Sequence, residues 1–516
     1  LSIQKKSVAL LSILSLVSSV LGLVFSVVLA RCYGVSRDVE IYFAASSLFF
    51  VIASLTQTGS ITEIALPIYH RHVEEFGKKE AFKLYCLIIN WMGLAAFLVG
   101  LISALFAQPL IEIFIPGFSA QDQETARIFF LWISPLFMLE ILKSIMSTLL
   151  NAEKVFGRTE LANILSQLGN IGFIILFHKR LGAYAAMMGL WFGQVLSLGY
   201  SLYLAYGFGF RYQFLWRDSR FSLRELFSKI RNTFSYVVAT QFYVVGLNAA
   251  ISLLPQGQYG IYKYANLIFS KTQGLLLHPV STVFFSQFSK EFAKGSTGLG
   301  KLIVQSNRIT FLSGIVVVVV VFAIGLPSFC LVWLNEKFDF QSIEITYRML
   351  LLFYCLLFVN GFALIYRKVN MAFGWVKPLY LSMTVVNILF GVLMYFWPTS
   401  WASLWSLVGI SLGNITVMAF IPPGLVALKN KATFELPPLP FWIKSGLLLA
   451  FSLGAVWLFK FWLYSQPWIL ALGWAPLVLS LGLFSLLILS LFAFLLRLEE
   501  FSLITGLIKK NAARFF

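Results

Sequence analysis

The sequence predicts an all-α polytopic membrane protein of about fourteen transmembrane helices, built as two pseudo-symmetric six-helix lobes plus two C-terminal helices. Three observations lead there. Of 516 residues, 59% are hydrophobic and only 12% charged, with a mean hydropathy of +0.85. A water-soluble domain needs a more polar surface, and lipid as the solvent removes the difficulty. Apolar runs of roughly twenty residues, the length that crosses a bilayer core, recur along the chain. The basic residues fall in short patches between those runs.

The runs lie near 8–30, 41–66, 84–107, 127–150, 161–177, 183–207, 233–254, 259–285, 309–334, 345–365, 378–397, 402–427, 441–463 and 468–496. The first is read as a retained helix, since no small-residue cleavage site follows it. With both termini cytoplasmic, 27 of the 39 Lys and Arg fall in cytoplasmic segments, seven in external loops and five within spans. One missed helix would invert every later loop and abolish this positive-inside bias, so the bias supports the count and the orientation together. Trp397, Trp401, Trp462 and Trp468 flank two external turns, where interfacial anchors belong. The net charge of +18 is spread over these loops rather than gathered on one face, which argues against nucleic acid as a partner.

Two phrases place the lobes. "NAEKVFGRTELANILSQLGN" (Asn151 to Asn170) bridges spans four and five, and "NMAFGWVKPLYLSMTVVN" (Asn370 to Asn387) bridges spans ten and eleven. Phe156-Gly157 precedes Asn170 by the spacing with which Phe373-Gly374 precedes Asn387. A separation of six helices keeps both phrases on one side, as a parallel duplication requires. The expected organisation is an N-terminal lobe at 1–207, a basic cytoplasmic linker at 208–232, a C-terminal lobe at 233–440, and helices 13–14 with a basic tail at 441–516. Two such lobes point to alternating access around a site between them. Gly22, Gly34, Gly59, Pro67, Gly157, Gly274 and Pro279 are candidate bends or close-packing positions.

Polar groups inside spans need a reason, because lipid solvates them poorly. Span eight carries Tyr259, Tyr262, Lys263, Asn266, Ser270, Lys271 and Gln273 within a few turns. Such a face suits a hydrated cavity in which the lysines neutralise an anionic head group and the amides and phenols bind sugar hydroxyls. Snorkelling of Lys263 and pairing of Lys271 elsewhere are the competing reading. Span two ends in "TQTGSITEIALP", where Gln57 and Glu63 are candidate cavity-wall residues, a broken or membrane-edge helix being the competing reading. Glu140 and Lys143, three apart, are expected to pair. Lys444 and Lys460 read as interfacial snorkels. His278-Pro279 leaves both a packed histidine and a proton-coupled one open. The four cysteines, Cys32, Cys86, Cys330 and Cys355, show no metal-ligand spacing and read as packing residues, a Cys32–Cys330 disulfide remaining open. The four histidines are scattered. No metal site, no catalytic residue and no cofactor is expected, and no GxxxxGK phosphate loop is present in the sequence.

Several phrases carry a family likeness: "SSVLGLVFSVVLARCYG", "EIYFAAS", "TGSITEIALPIY", "IPGF" at Ile115 to Phe118, and "KYANLI…QFSKEFAKG" from Lys263 to Gly295. In this order the chain resembles the polysaccharide and lipid-linked oligosaccharide flippases of the multidrug/oligosaccharidyl-lipid/polysaccharide exporter superfamily, above all its bacterial lipid II flippase branch. The likeness covers nearly the whole chain. It makes Arg31, at the end of span one, and Glu40, the acidic position after the first loop, candidate site residues. The arginines expected to line the family's cavity would fall at Ser19, Phe25, Ala53 and Leu267, and the acidic position before the last of these at Asn266. None of those charges is kept here.

The resemblance implies transport without bond chemistry, so not an enzyme. A polyprenyl pyrophosphate-linked glycan would enter from the inner leaflet of the bacterial cytoplasmic membrane. Its head group would sit between the lobes, and rocking would release it outside. The drive would be the membrane potential, an ion gradient or downstream consumption of the flipped substrate. Expected partners are the glycan substrate, membrane lipids and cell-envelope glycan synthesis enzymes, with the protein itself a monomer. Two other readings stay open: a small-cation or drug antiporter of the same superfamily, whose members usually look twelve-helical, and an inactive membrane scaffold.

Overall fold

The computed structural model describes residues 2–55, 69–153, 156–217, 223–293, 299–372, 375–429, 436–466 and 473–498. Among them there is no strand, only an isolated bridge between Asn335 and Phe338. The helices are α1 (Ser2–Tyr33), α2 (Arg37–Leu55), α3 (Lys78–Leu105), α4 (Ala107–Phe114), α5 (Ala120–Ile133), α6 (Leu136–Ala152), α7 (Phe156–Leu181), α8 (Tyr184–Gly207), α9 (Leu223–Ser252), α10 (Gln258–Ala293), α11 (Leu299–Trp333), α12 (Phe340–Ala372), α13 (Val376–Tyr395), α14 (Leu404–Lys429), α15 (Leu439–Tyr464) and α16 (Trp474–Leu495).

Each expected span has a helical counterpart. Among the described residues eleven helices are long and apolar enough to cross a membrane, and α5 with α6 adds a twelfth as a pair bent by 42°. The expected span over 127–150 is thus a helix pair bent at Ser134-Pro135. Pro135 lacks the amide that would continue the ladder, so α5 stops and α6 starts there. The two remaining expected spans are α8 and α10, of 24 and 36 residues. At 1.5 Å per residue they reach about 36 and 54 Å, long enough to cross, but they fall short on apolarity. Part of the expected linker at 208–232 is helical. α9 starts at Leu223, ten residues before its apolar run. Upstream, the chain from Arg211 to Trp216 lies along α3. There Cys86 Sγ–H, Asn90 Nδ2 and Trp91 Nε1 donate to the carbonyls of Arg211, Leu215 and Trp216.

The chain divides into two compact units. One comprises Leu1–Leu267 with Tyr380–Ile410, and the other Ile268–Leu379 with Ser411–Phe516. Within the first, α7 and α8 form a hairpin with a seam of small residues. A Cβ on Gly193 would stand 2.3 Å from the Ser166 carbonyl, and one on Gly189 2.4 Å from Asn170 Oδ1. In lipid, where apolar surface gains little by association, such close backbone approach is what holds helices together. α1 packs on α7, with Gln167 donating to Ser18 Oγ at 2.8 Å. α13 meets α9 in the same manner. Asn387 donates to Thr240 Oγ1 at 3.1 Å, Tyr236 and Tyr380 stack at 4.9 Å, and Gly246 faces Gly391. α6 locks onto α8 through a closed ring: Lys143 donates to Glu140 at 2.8 Å and to Gln194 at 3.0 Å, and Gln194 donates to Glu140 at 2.7 Å. The expected Glu140–Lys143 pair is therefore present, with a third member the sequence did not reveal.

In the second unit α11 is the central element. α12 packs on one side of it, where Gly361 admits Thr310 and Gly314 admits Phe358. α15 and α16 pack on another, sharing Ile315, Val319, Val456 and Leu481. Lys460, expected as an interfacial snorkel, has a partner within the protein. Its ammonium donates to the Phe322 carbonyl at 3.2 Å beside the rings of Phe322 and Tyr347. Tyr347 donates to the same carbonyl at 2.9 Å, near the helix-interior Pro327. None of the four cysteines is in a disulfide, so the Cys32–Cys330 bridge left open above is not formed.

The Gly246–Gly391 contact gives a direct test. A Cβ on Gly246 would lie 2.4 Å from the Gly391 carbonyl, which is backbone and has no side-chain freedom to yield. Gly246→Val should destabilise the protein by about 1–3 kcal/mol through overpacking, read as a lower melting temperature in detergent. An unchanged melting temperature would show that the seam does not bear on stability.

Candidate functional site

The most connected polar cluster of the first unit is built where α2, α9 and α10 meet. Gly257, with φ of +91°, turns the chain into α10, a backbone state that glycine adopts at little cost. A helix start leaves amides without intrahelical partners. Here a carboxylate from another helix takes two of them: Glu40 Oε1 accepts from Gly257 N at 2.9 Å and from Gly260 N at 3.1 Å. Glu40 is fully buried. Its other oxygen accepts from Arg37 Nη1 at 2.9 Å, and the positive end of the α10 dipole adds to the stabilisation. Burying a charge is tolerable only when it is paired and hydrogen-bonded in this way.

Arg37 extends the cluster. Its Nε donates to Asp122 Oδ2 at 3.0 Å, and its guanidinium lies 3.9 Å above the Phe118 ring. Ser119 caps α5 and also donates to Asp122. Phe118 meets Tyr259 edge to face at 5.5 Å. Gly117 N donates to Ser252 Oγ at 3.0 Å, and a Cβ there would stand 2.3 Å from the Ser252 carbonyl, so the "IPGF" turn needs its glycine. Tyr264 donates to the Gly34 carbonyl at 2.9 Å. The segments joined are 34–40, 115–122 and 252–264, most of which the charge bias expects on or near the external side.

One turn further along α10, Lys263 donates to Ser47 Oγ at 2.8 Å and to Asn248 Oδ1 at 2.6 Å. Asn248 also accepts from Tyr259 at 2.7 Å, and the ammonium lies 5.1 Å from the Tyr259 ring. Lys263 thus faces neutral oxygens of α2 and α9 rather than snorkelling away from the protein. The other expected site residues separate by exposure. Tyr259 and Tyr262 are buried, Lys271, Gln273 and Gly274 partly so, and Asn266 and Ser270 are exposed on the same helix. Arg31 is exposed at the end of α1, and Gly22 is buried within it. α1 runs through Gly22, and α10 through Gly274 and Pro279, without a break in helix. Gln57, Gly59, Glu63 and Pro67 lie outside the described residues, as do the side chains of His278 and Pro279.

Sequence reasoning missed Arg37, Ser47, Asp122, Asn248, Ser252 and Gly257. Arg37 and Glu40 do stand three apart at a helix start, which is a pairing signal. The other partners are too distant in the chain to leave one. Among the described residues no group of three or more His, Cys, Asp and Glu is placed to hold a metal ion.

The model of the family described as "Lipid II flippase MurJ" matches residues 29–493. The chain belongs to the MurJ family of lipid II flippases. It is a multi-pass membrane protein of a transporter family, not an enzyme. The probable lipid II flippase MurJ of Borreliella burgdorferi is 23% identical over 463 residues, covering 88% of this chain and 89% of that one. The lipid II flippase MurJ of Thermosipho africanus is 26% identical over 189 residues, 36% of this chain and 38% of that one. Among solved structures, a lipid II flippase MurJ in an inward closed conformation superposes with a TM-score of 0.75 at 20% identity, covering 95% of this chain and all of that one. An inward-facing multidrug resistance MATE transporter of the MOP superfamily superposes at 0.63 and 14% identity, covering 81% and 98%. These likenesses establish the shared fold.

The cluster makes a graded prediction. In a background without native cysteines, Ser47→Cys beneath the junction should react slowly with a membrane-impermeant thiol reagent added outside. Glu40→Gln, which keeps an acceptor but loses the charge, should speed labelling. Glu40→Ala, which leaves two amides and Arg37 without their acceptor at about 1–3 kcal/mol each, should speed it more. Equal labelling in all three would mean that Glu40 does not hold this end closed.

Proposed function

We propose that the protein flips a polyprenyl pyrophosphate-linked glycan, lipid II or a chemically similar unit, from the cytoplasmic to the external leaflet of the bacterial inner membrane by alternating access. The observation that carries this reading is the Glu40 junction. It ties span two and the loop before span four to spans seven and eight at the end assigned to the outside. A substrate then enters from the cytoplasmic side, and release outside requires this junction to part.

The same proposal extends to the architecture: all fourteen helical segments would cross, with both termini cytoplasmic. α8 and α10 are long enough, and their lower apolarity fits helices whose polar faces line an interior. Spans 1–6 and 7–12 form the two lobes. In support, the first helix packs on the fifth in each (α1 on α7, α9 on α13), and the third on the fourth (α3 on α6, α11 on α12). The two shared phrases run from the end of α6 into α7 and from the end of α12 into α13.

Lys263, Asn266, Ser270, Lys271 and Gln273 on α10, with Tyr259 and Tyr262 behind them, are the proposed head-group contacts. Gln57, Glu63, Arg31 and Glu40 complete the site, and Gly22, Gly59, Pro67, Gly274 and Pro279 are its bends. Lysine supplies point charge to a pyrophosphate without the bidentate fork of arginine. Moving an anion outward is favoured by an inside-negative potential, so no cofactor is required. The protein acts as a monomer beside the enzymes of envelope glycan synthesis.

The test is a leaflet assay in vesicles with a fluorescent polyprenyl pyrophosphate-linked glycan. The native chain should move it, and Lys263→Ala with Lys271→Ala should slow it about tenfold or more, the worth of a lost charge-assisted contact. Transport of a small cation with no movement of the lipid-linked glycan would replace this reading with the antiporter. No movement of either would replace it with the scaffold.

A further inference from the structure

A second charged cluster lies in the other compact unit. Arg308 on α11, Lys444 in the second turn of α15 and Arg497 just after α16 line one cavity of about 100 Å³, floored by Pro438, Pro440 and Phe441. Three cations from three helices thus converge where a small group fits, since this volume holds roughly three waters. Each cation is positioned. The Arg308 guanidinium lies 5.2 Å from the Phe441 ring centre, and Lys444 Nζ is 3.4 Å from the Arg497 carbonyl. The first turn of α15 adds the positive end of a 26-residue helix.

Arg497 occupies an unusual backbone state. Its φ is +49°, the only positive value at a non-glycine residue among those described. Leu498 N bonds back to the Ala493 carbonyl at 3.2 Å, and Arg497 N to that of Phe494 at 3.1 Å. This is the left-handed helix stop at which glycine is the usual and cheaper residue. An arginine held there keeps a guanidinium at the cavity at some cost in conformation. Leu498 is buried in the same core as α11, α15 and α16, which fixes the turn.

The ends of α15 and α16 also expose Leu439, Ile443, Phe494 and Leu495. A basic recess beside apolar, lipid-exposed side chains at the cytoplasmic end of spans is where lipid phosphates bind. We propose that this cavity holds the phosphate of an anionic phospholipid of the inner leaflet, bound apart from the transported glycan. The lipid phosphate would join α11 to the C-terminal helix pair by touching side chains from both. Glu499 and Glu500 follow in the sequence and lie outside the described residues, so the test must separate them from lipid.

The purified full chain is titrated with phosphatidylglycerol or phosphatidylcholine in detergent, and bound lipid is read by native mass spectrometry with melting temperature in parallel. Phosphatidylglycerol should bind in preference and raise the melting temperature. Lys444→Gln with Arg497→Gly should weaken that binding about tenfold or more. The glycine relieves the positive φ, so the lipid-free melting temperature should not fall. Unchanged phosphatidylglycerol binding in that variant overturns the proposal, as does equal binding of the two lipids by the native chain. Equal stabilisation by millimolar inorganic phosphate overturns the lipid as ligand. Binding that appears only after Glu499→Gln with Glu500→Gln shows that the tail carboxylates fill the recess, and overturns it too. No glycan substrate is present, so failure here leaves the proposed transport function standing, and the reverse.

Discussion

The junction described above depends on one buried carboxylate placed at the start of a helix. Glu40 is fully buried, accepts from two amides of the α10 start and pairs with Arg37. Removing water from a charge is unfavourable unless its partners are present together. The arrangement is therefore all or nothing: while the amides of Gly257 and Gly260 stay in reach, the charge is content, and when they move apart water must enter. Arg37 spreads the same condition to Asp122 and Phe118. A contact of this kind suits a closure that must be tight in one state and separable in another, because its components are equally well solvated by water.

Much of the fold could be read from the amino acids. Twenty apolar residues in lipid leave the backbone little choice but helix, so every expected span has its helix. The misreadings have particular causes. Span two was placed from residue 41, yet α2 starts at Arg37, because Arg37, Asp38 and Glu40 look like a loop until Arg37 and Glu40 are seen to pair. The bend within span four was not foreseen, because Ser134-Pro135 is flanked by apolar residues on both sides. Within the cluster, Lys263 and Tyr259 stood out as polar groups in a span. Asn248 and Ser47 did not, since a single amide or hydroxyl in a membrane helix is common. Their partnership with Lys263 spans 15 and 216 residues of chain, a distance that no local spacing reports.

The family's pattern and this chain differ most at charge. Ser19, Phe25, Ala53 and Leu267 stand where the resemblance leads one to expect arginine, and Ala53 is buried against its neighbours. The remaining positive charge of span eight is lysine, a compact ion on a flexible stem. Lys263 is occupied with Ser47 and Asn248. It would have to exchange these neutral oxygens for a phosphate, an exchange that lysine's three freely rotating donors permit more readily than a planar fork does.

The strap from Arg211 to Trp216 has a mechanical consequence. Its carbonyls are fastened to α3, and α9 starts at Leu223. Seven peptide links join Trp216 to Leu223, and at about 3.3–3.6 Å each they reach roughly 25 Å at most. Bond lengths alone therefore cap how far the start of α9 can stand from the end of the strap on α3.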